Sequence, residues 1–379
     1  MSSMNIDTAQ QQYYNRPKDE RFESLDALIT AAQYDKDHSR EVTYNLRDLR
    51  AVTTNQERPE LRIESPKGRA TLSHYAFGQV CTDIGAPARY LRSLPADLVA
   101  QNLNHGLQVA APVGTRSNLL VRANGGEPII RAATSDTYGR VWDADLYREL
   151  ARHFGDGARS SRGTSAQWQT PPAWPGSPAS GNYRGDRDSF VIRVDGGSIV
   201  DDPSAARSQS LGDSAMYRGI LVRNSEVGHC SVTLEMILFR YICGNHMLWG
   251  AILDRQFRRR HVGTNAVRDT MSEINRIAWK WNDRAASTDE QIIRSLIEHE
   301  IAHTKEAVID ELKKLGATQR QAESAYTTCE QTESASPRSF WGLAQGLTRD
   351  SQESGYQDDR LDLDRLASQV LKRGVLVAA

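Results

Sequence analysis

The patterning of this chain predicts an α+β fold, with a central, mainly antiparallel sheet flanked by N-terminal and C-terminal helices. Short apolar runs bounded by Gly, Asn and Asp fall between residues 117 and 242, as strands require. Beyond Asp254 the apolar residues recur at three- and four-residue spacing, as on one face of a helix. The 379 residues are 39% apolar and 25% charged, ordinary values for a globular chain.

Taken in order, residues 1–20 read as a polar flexible arm. Residues 22–34 carry Phe22, Leu25, Leu28 and Ile29 at helical spacing. A short strand is predicted at Leu61–Glu64, closed by Ser65-Pro66-Lys67-Gly68. Residues 71–107 read as helices punctuated at Gly85-Ala86-Pro87 and Ser93-Leu94-Pro95, so 21–115 is predicted to be an N-terminal helical region. Residues 116–253 are the predicted sheet core. Its strands are expected at 117–123, 128–135, 189–194 and 217–223, with a helix at Asp143–Phe154 whose first residue suits the helix dipole. Ser231–Tyr241 is an apolar run that fits either a strand or a helix. Residues 155–187 are rich in Gly, Ser, Pro and Arg and read as an exposed insertion, and Asp195-Gly196-Gly197 reads as a turn.

Residues 254–330 read as C-terminal helices. One places Ile274, Ile277, Ala278 and Trp281 on a single face. A second carries Ile292, Ile293, Leu296, Ile297 and Ile301 and is expected to continue through Leu312 to Gly316. Residues 331–379 read as loop with one short helix, then a final helix at 361–371.

Composition excludes several classes. The net charge of −1 gives no global basic field, so any nucleic-acid contact needs a local patch. No run of eighteen apolar residues predicts a membrane span, and the polar N-terminus predicts no secretory signal. Four cysteines predict a reducing cytoplasm rather than a disulfide framework. The local signatures of serine hydrolases, P-loop NTPases and Rossmann proteins are missing.

Several motifs carry candidate chemistry. His299-Glu300-Ile301-Ala302-His303 is an H-e-x-x-H pattern, which on a helix puts two imidazoles one turn apart beside a carboxylate, as a zinc hydrolase needs. The competing reading is a solvated charged helix face. His229-Cys230 with Cys243 and His246 has weak metal-site spacing, and buried thiols packed in a core explain it as well. Residues 77–94 resemble a helix-turn-helix, with Arg89 and Arg92 on the second helix, although helical hairpins of this shape are common without DNA. The densest basic cluster is Arg255, Arg258, Arg259, Arg260 and His261. Trp249, Phe257, Trp279 and Trp281 lie nearby as stacking surfaces for unpaired bases, and Arg159, Arg162, Arg184 and Arg187 add to the same field. A solvated charged face is the alternative.

A set of segments in fixed order carries a family resemblance: residues 71–95; Arg131, Ser135, Tyr138 and Arg140 within 129–150; Asn224-Ser225-Glu226-x-Gly228; Arg240-x-x-Cys243-x-Asn245; and Arg258-x-x-His261-x-Gly263. Over roughly residues 20–320 the chain resembles the phage- and plasmid-associated family catalogued as domain of unknown function 932. It departs at His246-Met247, where Gly-Leu is more usual, and at the 155–187 insertion. The resemblance implies a mobile-element context and an α+β fold, makes Asn224, Ser225, Glu226, Gly228, Cys243 and Asn245 a structural motif, and implies no activity.

The preferred function is non-enzymatic: single-stranded nucleic-acid binding or annealing in recombination or replication, with no cofactor. Arg131, Tyr138, Arg140, Arg255, Arg258, Arg259, Arg260 and His261 would be the contacts. The alternatives are a zinc-dependent hydrolase at His299, Glu300 and His303, and a protein-binding factor acting on host defence. A homo-oligomer is compatible with the sequence, and no membrane association is expected.

Overall fold

The computed structural model describes residues 18–54, 60–110, 114–123, 125–155, 168–170, 181–201, 215–240, 246–247, 257–263, 265–282, 286–353 and 357–378. The fold is α+β, as its patterning predicts. Its strands fall into two mainly antiparallel sheets rather than one.

The first sheet has six strands in the order β1-β5-β6-β4-β3-β2. They are β1 (Ser39–Asn45), β2 (Arg50–Thr54), β3 (Glu60–Ser65), β4 (Gly68–Leu72), β5 (Arg116–Arg122) and β6 (Ile129–Ser135). Four of the six lie in the segment predicted to be helical. Only Leu61–Glu64 was legible there, because β1 and β2 are studded with Arg, Glu, Asn and Thr and lack clean alternation. One face of this sheet packs on α2 (His74–Asp83), α3 (Ala88–Leu91) and α4 (Ala96–His105) through Val80, Ile84, Leu91 and Leu103. The exposed edge of β2 is closed by α4. The Asn104 amide donates to the Ala51 carbonyl at 2.8 Å and accepts from the Ala51 N–H at 2.7 Å. The hairpin at 77–94 is present, but α3 has only four residues, too short to lie along a groove as a recognition helix.

The second sheet runs β12-β11-β10-β9-β7, with β13 on β11 and β8 on β9. Its strands are β7 (Trp168–Gln169), β8 (Asn182–Arg184), β9 (Ser189–Asp201), β10 (Ala215–Asn224), β11 (Val232–Arg240), β12 (His246–Met247) and β13 (Phe257–Arg259). The ambiguous run at 231–241 is a strand. Asp195-Gly196-Gly197 is not a turn. β9 passes through it, and its pairing with β10 jumps from Asp195↔Arg218 to Ile199↔Tyr217, so the glycines form a bulge. The 155–187 insertion is only partly exposed, since Trp168, Tyr183 and Arg184 are buried.

Helices cover one face of this sheet: α1 (Leu25–Asp37), α5 (Asp143–Phe154), α6 (Ala266–Asn282), α7 (Ala286–Glu298), α8 (Lys305–Lys314), α9 (Gln319–Thr332), α10 (Phe340–Glu353) and α11 (Gln357–Ala378). Leu146, Leu150 and Phe154 of α5 meet Val191, Ile220, Val222 and Leu234 of the sheet, and Ile274, Leu296 and Leu312 extend the same core. Residues 340–353, expected to be largely loop, form a helix of 14 residues with Trp341, Leu343 and Leu347 fully buried. The glycines of this helix, Gly342 and Gly346, have a structural use. A Cβ at Gly346 would sit 2.2 Å from the Ala325 carbonyl oxygen, so α9 and α10 approach closely there. Among the described residues no helix is long and apolar enough to cross a membrane.

Candidate functional site

The two sheets are joined by the turn between β10 and β11. Val227 of this turn packs on Leu120 and Ala132, which project from the face of the first sheet opposite its helices. Beside that contact lies a buried ionic network. Asn224, Ser225 and Glu226 are 0%, 0% and 3% exposed, so the three polar residues of the motif sit inside the protein.

Glu226 is its centre. One carboxylate oxygen accepts from Arg131 at 3.1 Å and from Arg184 at 3.0 Å, and the other accepts the Asp143 N–H at 3.0 Å. Its carbonyl accepts from the Arg140 guanidinium. Arg184 also donates to Asp143 at 3.0 Å and to Asp35 at 2.6 Å, so one guanidinium serves three carboxylates. Arg122 supplies a further cation to Asp35, and Arg140 pairs with Glu41 at 3.3 Å. Four guanidiniums thus face four carboxylates, which is what makes burial of so much charge tolerable.

The pKa shifts follow. Burial pulls the Glu226 carboxyl upward, but Arg184 and then Arg131 outweigh it and hold it below its ordinary value. Asp143 goes the other way. Burial, then the adjacent Glu226 charge, pushes it up to about 6. Asn224 and Ser189 donate to Asp143 at 2.8 and 2.6 Å, and Tyr147 donates to Ser189 at 2.7 Å.

The predicted contact residues divide sharply. Arg131, Arg140 and His261 are each 4% exposed, and the two arginines spend their charge on Glu226 and Glu41, so none of the three can face a strand. Tyr138 is half-buried. Its hydroxyl donates to the Ser225 carbonyl at 2.9 Å, and its ring stacks on His261 with centroids 5.0 Å apart. These four residues hold the fold together. Arg184 is also withdrawn from the basic field. Arg259 is paired with Asp269 at 2.8 Å. Arg258, Arg260 and Arg187 remain exposed and make no ion pair among the described residues. Arg255, Cys243, Asn245, Arg159, Arg162 and Trp249 lie outside the described residues, as do the side chains of His246 and Trp281.

The H-e-x-x-H segment is not helical. α7 stops at Glu298 and α8 starts at Lys305. Between them Glu300 forms a bridge with Ser339, and the Ile301 N–H donates to the Arg338 carbonyl at 2.8 Å. Thr304 then caps α8 through Ala307 N–H at 3.2 Å. The two histidines therefore do not share a helix face. His299 Nδ1 lies 2.8 Å from the Ser295 carbonyl, while Glu300 pairs with Arg338 and His303. No group of three or more His, Cys, Asp or Glu among the described residues is placed to hold a metal.

Sequence reasoning missed Asp143 and Asp35. The signal for Asp143 was present: it falls on the helical face of Leu146, Tyr147, Leu150 and Phe154, an acid on an apolar stripe. It also missed a cleft of about 540 Å³ between α2, the end of β6 and Gly228, whose walls include Tyr75, Gln79, Tyr138 and Arg187.

Comparison with family models, with curated proteins and with solved structures finds no match.

Proposed function

We propose that this chain is a non-enzymatic protein of phage- or plasmid-like elements that binds single-stranded nucleic acid in the cytoplasm, and that it belongs to the family it resembles. The observation that supports the reading is a basic and aromatic surface formed by β13 and α6. Arg258 and Arg260 are two residues apart on an extended segment and exposed. β13 packs against α6, where Arg259 is tied to Asp269. Along the outer face of α6 follow Arg268, Ser272, Arg276 and Trp279, at helical spacing over about 16 Å. The Trp279 indole is 53% exposed, which suits base stacking. In this reading Arg258 and Arg260 neutralise phosphates, Arg276 and Arg268 being paired with Glu273 and Asp269, and the indole takes an unpaired base.

Fluorescence anisotropy with labelled single-stranded DNA at low and moderate salt tests it. Binding that weakens as salt rises is expected. No binding at low salt, or binding indifferent to salt, overturns it. Recovery of a specific host protein without nucleic acid would favour a protein-binding factor instead.

A further inference from the structure

The cleft beside the motif turn has opposite charges at its two ends. Arg187 stands at one end, within electrostatic range of the Tyr75 hydroxyl. Its backbone is fixed, because the Ser225 hydroxyl donates to the Arg187 carbonyl at 2.6 Å. The neighbouring carboxylate, Asp188, is held by Arg223 at 2.6 Å, and Arg187 makes no ion pair among the described residues. On the same wall the exposed residue Arg92 donates to the His74 carbonyl at 2.8 Å and lies over the Phe77 ring. Asp83 lines the other end of the cleft, about 12 Å from Tyr75 along the α2 axis.

The walls are built before any ligand arrives. Gln79 donates to the Val227 carbonyl at 2.8 Å and accepts the Ala133 N–H at 3.0 Å, which locks α2 to both the turn and β6. Tyr138 is held by Ser225. A preformed cleft of this volume is in the range of small-molecule sites and costs little to order on binding.

We propose that the cleft is a binding site for a nucleoside monophosphate, with the phosphate on Arg187 and an amino group of the base donating to Asp83. A guanidinium takes a phosphate in two parallel hydrogen bonds, and a carboxylate at the far end selects a donor. The span between them suits one nucleotide. The site is separate from the surface at Arg258 and Arg260 and does not depend on it. A free mononucleotide and the phosphorylated end of a strand share this chemistry.

Isothermal titration calorimetry on the full chain tests the proposal with AMP, CMP, UMP and inorganic phosphate. AMP or CMP is expected to bind saturably, with UMP, whose base lacks the amino group, at least tenfold weaker. Arg187→Ala should weaken binding at least tenfold and Arg187→Lys by less. Asp83→Asn should remove the preference over UMP. Arg258→Ala with Arg260→Ala should leave the nucleotide affinity unchanged, which separates this site from the strand surface. Arg187 is exposed, so its variants should keep the native thermal transition. A 5′-phosphorylated oligonucleotide preferred over the unphosphorylated one, with the preference lost in Arg187→Ala, would support the site with a strand end as its occupant. The proposal is overturned if neither AMP nor CMP binds, if Arg187→Ala binds as the parent does, or if inorganic phosphate binds as tightly as the nucleotides.

Discussion

The Arg184 guanidinium meets the Glu226 carboxylate at 3.0 Å across 42 residues of sequence, with the two side chains 7% and 2% exposed. Glu226 lies in the turn of the second sheet, Arg184 ends β8, and Arg131 reaches the same carboxylate from the first sheet. The contact therefore ties three elements that share no local sequence. A buried ion pair adds little over a hydrophobic substitute, yet removing one partner leaves the others charged and dry.

Glu226→Gln keeps the shape and removes the charge. It should destabilise the fold by about 3 kcal/mol, read as a lower urea midpoint at unchanged slope. Arg69→Ala breaks the exposed pair with Glu64 and should cost less than about 1 kcal/mol. Equal effects of the two variants would refute the assignment of Glu226 as the hub.

His261 makes stability depend on pH. Burial, aided by the nearby Arg140 charge, pushes its imidazole from 6.5 down to about 4. The folded state thus refuses a proton that the unfolded state accepts. The contribution is fully present above pH 6.5 and is lost as pH falls from there through 4, for about 3 kcal/mol at most. Asp143, held up at about 6, has the opposite sign and loses stability as pH rises. The difference between parent and His261→Phe isolates the imidazole. The variant should lose less stability between pH 7 and pH 4.5, and parallel pH profiles would contradict the argument.

On the proposed strand surface, Arg258→Ala and Arg260→Ala should each weaken single-stranded DNA binding for all sequences alike. Each should reduce the slope of log affinity against log salt by roughly 0.7. Trp279→Ala should cost about 1–3 kcal/mol with the slope unchanged. A slope unmoved by either arginine would place the phosphates elsewhere.

Gly346→Ala sets helix propensity against packing. Alanine gains about 1 kcal/mol over glycine in a helix interior. The added methyl would stand 2.2 Å from the Ala325 carbonyl oxygen, and a rigid neighbour cannot yield that much. Overpacking should win, with a net loss of about 2 kcal/mol in thermal or urea unfolding. A stabilised variant would show that α9 and α10 separate freely.

Local pattern determined much of the architecture. Asp143–Phe154 is a helix because its apolar residues share one face, and 217–223 is a strand because its short apolar run ends at an Asn-Ser-Glu-x-Gly turn. These are properties of neighbouring residues, so the chain alone carries them. The fate of the charged residues is different. Arg131, Arg140 and Arg184 look in sequence like Arg258 and Arg260, yet the first three are buried on carboxylates and the last two are exposed. An arginine has the same local signature whether its partner is solvent or an acid 95 residues away, as Arg131 and Glu226 are. The H-e-x-x-H run likewise has helical spacing, yet the helix ends at Glu298 and Glu300 bridges to Ser339 instead. Elements with a clean apolar period followed from the sequence by itself because their causes are local, whereas β1, β2 and β4 lack that period and did not. Which charges face solvent was decided only in the tertiary structure, because a buried charge depends on partners brought close by folding.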